Sequence, residues 1–372
     1  MKVNYYKIGE EYLRVKKIYF QKINNIFEKG TFINSDSNIK FEKTISKLLN
    51  VNYVCGVANG SDALEIAMQA MGIKKNDEVI TPTNSWVSSL TSIINIGAKP
   101  VLIDVNKNFN IDIRQVEKAI TKNTKAIMPV HLNGLPANMR EILKLAKKFK
   151  IKIIEDSAQS IMSRIGNKYT GTMGNVGCFS LHPTKNLGVA GDGGFITTNN
   201  KKIFDKIKLI SNHGMDNQGR SIMVGRNSRL DAIQAELILH KIKFLKKDIY
   251  KLSQIANKYS KELNNYVKVP FYKNSTNFKH TYHRYVIMLK NKKERDSLKK
   301  YLEKKKIETK IHYSKPLHKY SCFKKYSFKK RLINAEKQSD IILSLPCNHF
   351  MRKNEVNYVV KNIKEFFKKW KF

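Results

Sequence analysis

The sequence predicts an α/β fold with a mostly parallel sheet of about seven strands, covered by helices. From residue 51 onwards, short runs rich in β-branched residues alternate with stretches that have the apolar spacing of helices. Such alternation is typical of parallel sheets with helices on both faces. The chain of 372 residues is also long enough for a large core and two domains.

The sheet is preceded by two predicted helices. Helical spacing from Glu11 to Glu28 and from Ile39 to Leu49, with a turn at Gly30, indicates an N-terminal helical pair. Strands are then expected at residues 53–57, 78–81, 100–104, 126–130 and 152–155, with two more flanking Lys185. The intervening helices are expected at residues 62–71, 87–96, 114–120 and 138–148.

The second half of the chain changes character at Pro270. A long helix to about residue 266 precedes this proline. Beyond it we expect an α+β unit, with strands at 280–289 and 308–312 and helices at 292–304, 332–341 and 354–369. The predicted organisation is a helical segment at 1–50 that packs on the core or a partner, a large domain at 51–265 and a small domain at 266–372.

The charge of the chain is its unusual feature. Seventy Lys and Arg against 30 Asp and Glu give a formal net charge of +40, which would attract polyanions such as nucleic acids or a membrane surface. The lysines are spread along the sequence, however, without a zinc-finger spacing or an aromatic-basic RNA motif. We interpret the charge as a solvated surface that also favours an anionic substrate, and we expect no specific nucleic-acid partner.

Cysteine usage and hydropathy bear on the compartment. The four cysteines lie far apart and form no C-x-x-C pair, so we expect reduced, buried thiols. The N-terminus lacks the apolar core of a signal peptide, and nowhere do about 18 apolar residues run together. The sequence therefore predicts a cytoplasmic protein without a membrane span.

A single lysine, Lys185, lies on a turn between two apolar runs. The run that contains Ser180 ends at Pro183, and a glycine-rich return leads into the next run. Burial would lower the pKa of such a lysine and expose a neutral amine, which can form a Schiff base with a carbonyl. Because a lysine on a turn is more often a solvated surface group, this motif needs support from elsewhere.

That support comes from two carboxylates, Glu155 and Asp156, at the end of the fifth predicted strand. Pyridoxal phosphate (PLP) needs a carboxylate at its pyridine nitrogen as well as a lysine for its aldehyde. Adjacent residues of a strand point to opposite sides, so only one carboxylate can face the site. We choose Asp156, with Gln159 as a hydrogen-bond donor one turn on.

Three further groups follow predicted strands, which is where ligands bind in such sheets. The turn of Gly60, Ser61 and Asp62 predicts a phosphate cradle at a helix N-terminus, or else a simple helix cap. Trp86 would either stack on a flat cofactor ring or be an ordinary buried aromatic residue. His131 would either contact the cofactor or be a hydrogen-bonded core histidine.

Other cofactors are disfavoured by the spacing of glycines and histidines. The glycines match neither the dinucleotide nor the P-loop pattern, and the nine histidines include no H-E-x-x-H motif. We therefore expect no NAD, ATP or metal site.

Together the motifs resemble the DegT/DnrJ/EryC1/StrS family of PLP-dependent sugar aminotransferases. The resemblance extends from about Phe32 to Phe367. The segments that carry it are Asn59–Leu64, Glu155–Gln159, Ser180–Gly188, Gly191–Gly194, Asn227–Ala235 and His312–His318. It implies the type I fold of aspartate aminotransferase.

The resemblance also implies a role for each motif residue. Lys185 would carry the cofactor and shuttle the proton, Asp156 would pair with the pyridinium nitrogen, Gln159 would bond the ring hydroxyl, and Trp86 would lie against the ring. The residues expected to hold the rest of the cofactor, mainly its phosphate, are Gly60, Ser61, Asp62, Ser180 and, across a homodimer interface, the partner subunit's Asn227. The residues expected at the substrate are His182, His312, Tyr313 and His318.

The implied reaction is transamination. L-Glutamate would convert the cofactor to pyridoxamine phosphate, and a ketosugar linked to a nucleoside diphosphate would then receive the amino group, for amino-sugar biosynthesis in a bacterial surface polysaccharide. The segment from Asn227 to Asp231 is more similar to members that aminate C3 than to those that aminate C4. The pair Leu181-His182 stands where many members have two aromatic residues before the proline, a position near the sugar.

Two alternatives stay open. A PLP- or pyridoxamine-dependent sugar dehydratase shares this fold, but in that branch a histidine replaces the lysine, which is present here as Lys185. A catalytically inactive basic protein with a regulatory or nucleic-acid-binding role would account for the charge, but it would have no use for the complete set of lysine, aspartate and phosphate-binding residues.

Overall fold

The structure is a computed structural model that describes residues 1–270, 275, 277–326 and 331–369. Its strands are β1 Tyr53–Val57, β2 Glu78–Pro82, β3 Lys99–Ile103, β4 Thr124–Ile127, β5 Lys152–Asp156, β6 Arg164–Ile165, β7 Lys168–Tyr169, β8 Val176–Ser180, β9 Gly194–Thr198, β10 Phe278–Lys279, β11 Tyr285–Met288 and β12 Ile342–Leu345. Its α-helices are α1 Ile8–Lys29, α2 Asp36–Leu49, α3 Gly60–Ala70, α4 Ser88–Asn95, α5 Ile113–Ala119, α6 Met139–Phe149, α7 Lys201–Ser211, α8 Ala232–Leu263, α9 Lys292–Lys304, α10 Ile333–Ile341 and α11 Lys353–Lys369.

The central sheet confirms the predicted fold class. Its seven strands lie in the order β1-β9-β8-β5-β4-β2-β3. Every neighbouring pair is parallel except the two that β9 makes with β1 and β8. Since only β9 runs against the rest, the carboxyl ends of β1, β2, β5 and β8 meet at one edge, which is where ligands bind in α/β sheets.

Asparagine side chains cap the N-termini of three helices that cover this sheet. Asn59, Asn138 and Asn200 each accept a hydrogen bond from a backbone N–H in the first turn of α3, α6 and α7. Such a cap contributes about 0.5–2 kcal/mol, because it satisfies a donor that the helix leaves unpaired. No helix within the described residues is both long enough and apolar enough to cross a membrane.

An ion-pair network ties the N-terminal helix to the rest of the chain. Arg14 of α1 donates to both carboxylate oxygens of Asp248 in α8, at 2.9 and 2.8 Å, and to Glu11 at 2.6 Å. Burial acts to raise the pKa of Glu11, but a hydrogen bond with His349 and the charges of Lys241, His349 and Arg14 lower it to about 2. The predicted N-terminal segment therefore packs on the long helix α8.

The C-terminal part has an apolar cluster of its own, formed by α9, α11, β11 and β12. The second half of α8 and Val3 also contribute to this cluster, so the boundary at residue 266 stays a prediction. The strand predicted at 308–312 is wrong: Lys310 makes only an isolated bridge to Ser344 of β12. The strand that pairs with β11 is β12. It directly follows α10, and no turn residue between them marks its start in the sequence.

Candidate active site

A cavity of about 640 Å³ opens at the carboxyl edge of the sheet. Loops that follow β1, β2, β5 and β8 line one side, and residues of the C-terminal part line the other. The predicted site residues that it brings together are Gly60, Ser61, Asp62, Trp86, Asp156, Gln159, Ser180, His182, Lys185, His312 and Tyr313. Asn227 and His318 lie outside it.

Lys185 lies in the cavity wall on the turn that follows β8. The backbone N–H of Lys185 donates to the carbonyl of His182 at 2.9 Å, which closes the turn. Burial lowers the pKa of the Lys185 amine to about 7; the positive charge of Arg284 acts in the same direction, and the negative charge of Asp156 opposes it. A large fraction of this lysine is therefore a neutral amine near pH 7, able to attack a carbonyl or to accept a proton.

Asp156 ends β5 and is the buried carboxylate of the cavity, with an exposed fraction of 5%. The hydroxyl of Ser89 donates to Oδ2 at 2.7 Å, and the backbone N–H of Ala158 donates to Oδ1 at 3.2 Å. The hydroxyl of Ser85 lies 2.7 Å from that of Ser89. These bonds fix the orientation of the carboxylate, and a carboxylate keeps further acceptor capacity for a protonated ring nitrogen.

The neighbouring carboxylate, Glu155, faces away from the cavity. It is fully buried and accepts hydrogen bonds from the backbone N–H groups of Gly171 and Met173, at 2.8 and 2.7 Å. His131 lies 2.9 Å from it through Nε2, while Nδ1 accepts from the backbone N–H of Ala137 at 3.0 Å. Of the two interpretations left open above, His131 is thus a hydrogen-bonded core histidine.

A cradle for a phosphate group lies where β1 and β8 end. A Cβ atom at Gly60 would come within 2.8 Å of the Cβ of Ser180, so this close approach requires glycine. Asn59 caps α3, and the Ser61 hydroxyl lies 2.7 Å from that of Ser88. A helix N-terminus with hydroxyls beside it is well suited to bind a phosphate.

The side-chain amide of Gln159 is held in one orientation. Its Oε1 accepts from the backbone N–H of Asn133 at 2.9 Å and from Arg284 at 3.2 Å, while its Nε2 donates to the Tyr313 hydroxyl at 3.2 Å. Arg284 lines the cavity and has an exposed fraction of only 7%. The sequence analysis did not single it out. The signal for it was a charged residue directly before the apolar strand β11.

The remaining aromatic and histidine residues line the rim. Trp86 has an exposed fraction of 57%, so it is not a buried core residue, and its ring lies 5.9 Å from that of Tyr313. His182 is exposed, and its Nδ1 lies 3.0 Å from the Thr184 hydroxyl. Burial, together with the charge of Arg284, lowers the pKa of His312 to about 2, so this ring is neutral.

The two predicted residues outside the cavity have different positions. The ring of His318 is held between the Thr83 hydroxyl, 2.8 Å from Nδ1, and Glu336, 3.1 Å from Nε2. Both ring nitrogens are engaged in joining Thr83, which directly follows β2, to Glu336 of α10, so the structure gives the predicted substrate role of His318 no support. Asn227 is exposed on the turn before α8, so its predicted role in cofactor binding depends on a second subunit.

The residues present fit PLP, because one cavity contains an amine with a lowered pKa, a buried carboxylate and a cradle that requires glycine. A comparison with protein families leads to the same class: residues 14–364 match the DegT/DnrJ/EryC1/StrS aminotransferase family. The chain belongs to this family.

Individual proteins also resemble the chain over nearly its full length. It is 35% identical to the "Pleiotropic regulatory protein" of Geobacillus stearothermophilus, over 99% of each chain. It is 34% identical to the dTDP-3-amino-3,6-dideoxy-alpha-D-galactopyranose transaminase of Aneurinibacillus thermoaerophilus, over 95% of this chain and 96% of that one. NtdA from Bacillus subtilis, solved with bound cofactor PMP, is 28% identical, with a TM-score of 0.92 over 99% of this chain and 85% of that one.

Proposed function

We propose that the protein is a PLP-dependent aminotransferase that moves the amino group of L-glutamate to a keto-deoxysugar linked to a nucleoside diphosphate. The observation that carries the proposal is that Lys185 and Asp156 line one cavity together with the glycine-dependent cradle at Gly60. The transaminase of Aneurinibacillus thermoaerophilus, named for a 3-amino sugar, supports amination at C3 over C4. The cofactor is pyridoxal phosphate.

The chain's own residues divide the task of holding the cofactor. The N-terminus of α3, with Ser61 and Ser180, would bind its phosphate, and Asp156 would bind its ring nitrogen. Gln159 would present its Nε2 group to the ring hydroxyl, since its Oε1 is already occupied. When bound, PLP supplies an electron sink that stabilises negative charge on the carbon beside the reacting nitrogen.

Lys185 is the residue that moves the proton in this mechanism. With a pKa of about 7, its Nζ can both take a proton from the substrate carbon and return it. Asp156, held in one orientation by Ser89 and by the backbone N–H of Ala158, would meet the ring nitrogen of the cofactor. Trp86, whose ring lies beside that of Tyr313, would lie against the cofactor ring.

We also propose that the working unit is a homodimer. The loop between α7 and α8 exposes large apolar side chains, with exposed fractions of 94% for Val224 and 58% for Ile222, and exposed apolar side chains of this kind favour an interface. Asn227 belongs to the same loop and does not line the cavity of its own subunit, where Lys185 lies. Within the dimer, the partner subunit's Asn227 would complete the phosphate cradle.

For the compartment we propose the cytoplasm, and for the product an amino sugar of a bacterial surface polysaccharide. All four cysteines are free thiols. Cys322 is exposed, which corrects the expectation that all are buried, whereas burial raises the pKa of Cys55 and of Cys347 to about 12. Thiols of this kind are unreactive and suit a reducing compartment.

The experiment that tests the proposal separates the two half-reactions. L-Glutamate alone should convert the yellow holoenzyme to a form without the long-wavelength band, and a matching nucleotide ketosugar should restore the band. A panel of 3-keto and 4-keto nucleotide sugars then identifies the acceptor. If L-glutamate leaves the spectrum unchanged at every pH between 6 and 9, the proposed donor is wrong.

A regulatory role is the second candidate function, because one relative is named "Pleiotropic regulatory protein" and the net charge is +40. Such a protein would bind DNA with an affinity that falls steeply with salt and would show no spectral change with glutamate. A sugar dehydratase would be distinguished from an aminotransferase by its products, since it would release no amino sugar when glutamate is supplied.

A further inference from the structure

Arg284 is a buried cation without an anion beside it. The two buried arginines among the described residues are Arg284 and Arg295, with exposed fractions of 7% and 4%. Arg295 contacts the carboxylate of Asp296 at 2.6 Å. No carboxylate of the described residues comes within 4.0 Å of Arg284.

The hydrogen bonds of Arg284 are all to neutral groups. One nitrogen, Nη1, donates to Oε1 of Gln159 at 3.2 Å and to the Tyr313 hydroxyl at 3.1 Å. Its Nε is buried and has no hydrogen-bond partner. The guanidinium also lies over the ring of Tyr313, 5.4 Å from its centre. One edge of the guanidinium group is thus unsatisfied.

A guanidinium stays protonated at any pH at which the protein is folded, so burial cannot be relieved by losing the charge. Burial of an unpaired ion is unfavourable, and an anion that enters the cavity would offset this penalty. A carboxylate matches the planar donors of arginine with two parallel hydrogen bonds. The phosphate of the cofactor is not this anion, because its cradle is formed by Gly60, Ser61 and Ser180, and Arg284 bonds to none of them.

We propose that Arg284 binds a carboxylate group of a substrate in this cavity. The inference rests on the proposed function and deepens it, because L-glutamate brings two carboxylates and a uronic-acid ketosugar would bring one. Both sources would present the same group, a carboxylate, to Arg284. The experiment below therefore measures the amino-donor half-reaction and the sugar half-reaction separately.

The first measurement uses the unaltered holoenzyme and two probes without an amino group. Succinate carries carboxylates, and succinamide has the same shape without charge. If the amino donor is the source of the carboxylate, succinate should bind saturably, perturb the cofactor absorbance and compete with L-glutamate, whereas succinamide should do none of these. If a uronic sugar is the source, the holoenzyme should instead prefer a nucleotide-linked uronate to the matching neutral sugar. Absence of both effects would overturn the proposal.

The second measurement compares Arg284→Gln and Arg284→Lys with Arg164→Gln, a control on β6 outside the cavity. For an amino-donor carboxylate, Arg284→Gln should raise the KM for L-glutamate on the order of 10²-fold, and Arg284→Lys should recover part of the loss. The half-reaction with a neutral amino sugar reports only the effect that Arg284 has through Lys185 and Gln159, so the loss with L-glutamate should exceed the loss with that sugar. For a uronic sugar, only the half-reaction with the uronate should weaken.

The contradicting results are equally specific. An equal loss in both half-reactions with neutral sugars, or a changed cofactor spectrum with unchanged KM values, would mean that Arg284 acts on the cofactor through Gln159. Unchanged KM values for L-glutamate and for uronates in a folded Arg284→Gln protein would also overturn the assignment. If the unaltered protein itself shows neither half-reaction, that result would instead contradict the proposed function.

Discussion

The hydroxyl of Ser89 donates a 2.7 Å hydrogen bond to the carboxylate of Asp156. Ser89 belongs to α4 and Asp156 to the end of β5, so the bond connects two segments that are 67 residues apart. Both side chains are buried. The position of the carboxylate therefore depends on a hydroxyl from another helix.

Removing that hydroxyl should weaken the site without unfolding it. A hydrogen bond to a charged group contributes about 1.5–3 kcal/mol, so we expect Ser89→Ala to lower PLP affinity on the order of 10–100-fold, as measured by absorbance titration. The matched control is Ser92→Ala on the same helix, because the buried Ser92 hydroxyl has no hydrogen-bond partner. Equal PLP affinities for the two variants would show that Ser89 does not support Asp156.

The cradle at Gly60 predicts a second result. In Gly60→Ala the new Cβ would lie 2.8 Å from the Cβ and 3.2 Å from the Cα of Ser180, so the backbone must shift. Overpacking of this kind costs about 1–3 kcal/mol, and the loss should fall mainly on PLP affinity. Gly9→Ala is the control, since nothing lies within 4 Å of a Cβ there. The prediction fails if Gly60→Ala binds PLP as tightly as the unaltered protein.

The lowered pKa of Lys185 makes the stability of the apoprotein depend on pH. Burial and Arg284 lower this pKa from 10.5 to about 7 in the folded chain. Between pH 7 and 10.5 the unfolded chain binds a proton that the folded chain does not, so this group's contribution to stability rises with pH over that window. Below pH 7 the unfavourable contribution is complete.

Lys185→Met removes that contribution, which is about 1.4 kcal/mol for each unit of pKa change. We expect the apoprotein of Lys185→Met to have a higher Tm than the unaltered apoprotein at pH 6.5, and the difference to shrink towards pH 10. Lys201→Met, which alters an exposed lysine, should show no such trend. A Tm difference that is independent of pH would contradict a pKa near 7.

His318 should be a structural residue. Its ring joins Thr83 to Glu336 and is nearly buried, and the loss of buried hydrogen bonds costs about 1–3 kcal/mol. We expect His318→Ala to lower the free energy of unfolding by that amount while the KM for the sugar stays the same. A raised KM with unchanged stability would restore the substrate role.

Residues that follow strands could be placed from the sequence, because parallel topology brings the ends of β1, β2, β5 and β8 to one edge. The choice between Glu155 and Asp156 could not be made from the strand pattern alone, since the alternation of side chains along a strand shows only that the two face opposite sides of the sheet. The structure places Glu155 against His131 and backbone N–H groups, on the side away from Lys185.

Residues supplied by distant segments could not be placed in this way. Arg284 is one of 70 Lys and Arg residues, and its burial follows from how the C-terminal part packs over the cavity. Ser89 lies within a helix, where a serine has no signature of its own. Strands such as β6, β7 and β10 span two residues each, which is too short for any periodic pattern.

The central claim is that the amine of Lys185 bonds covalently to the aldehyde of PLP. Reduction of the yellow holoenzyme with borohydride, followed by proteolysis and mass spectrometry, tests it directly. The account predicts that the reduced cofactor is attached to the peptide that contains Lys185, and that Lys185→Ala carries none. Attachment to another lysine, or a colourless protein that takes up no PLP, would contradict the account.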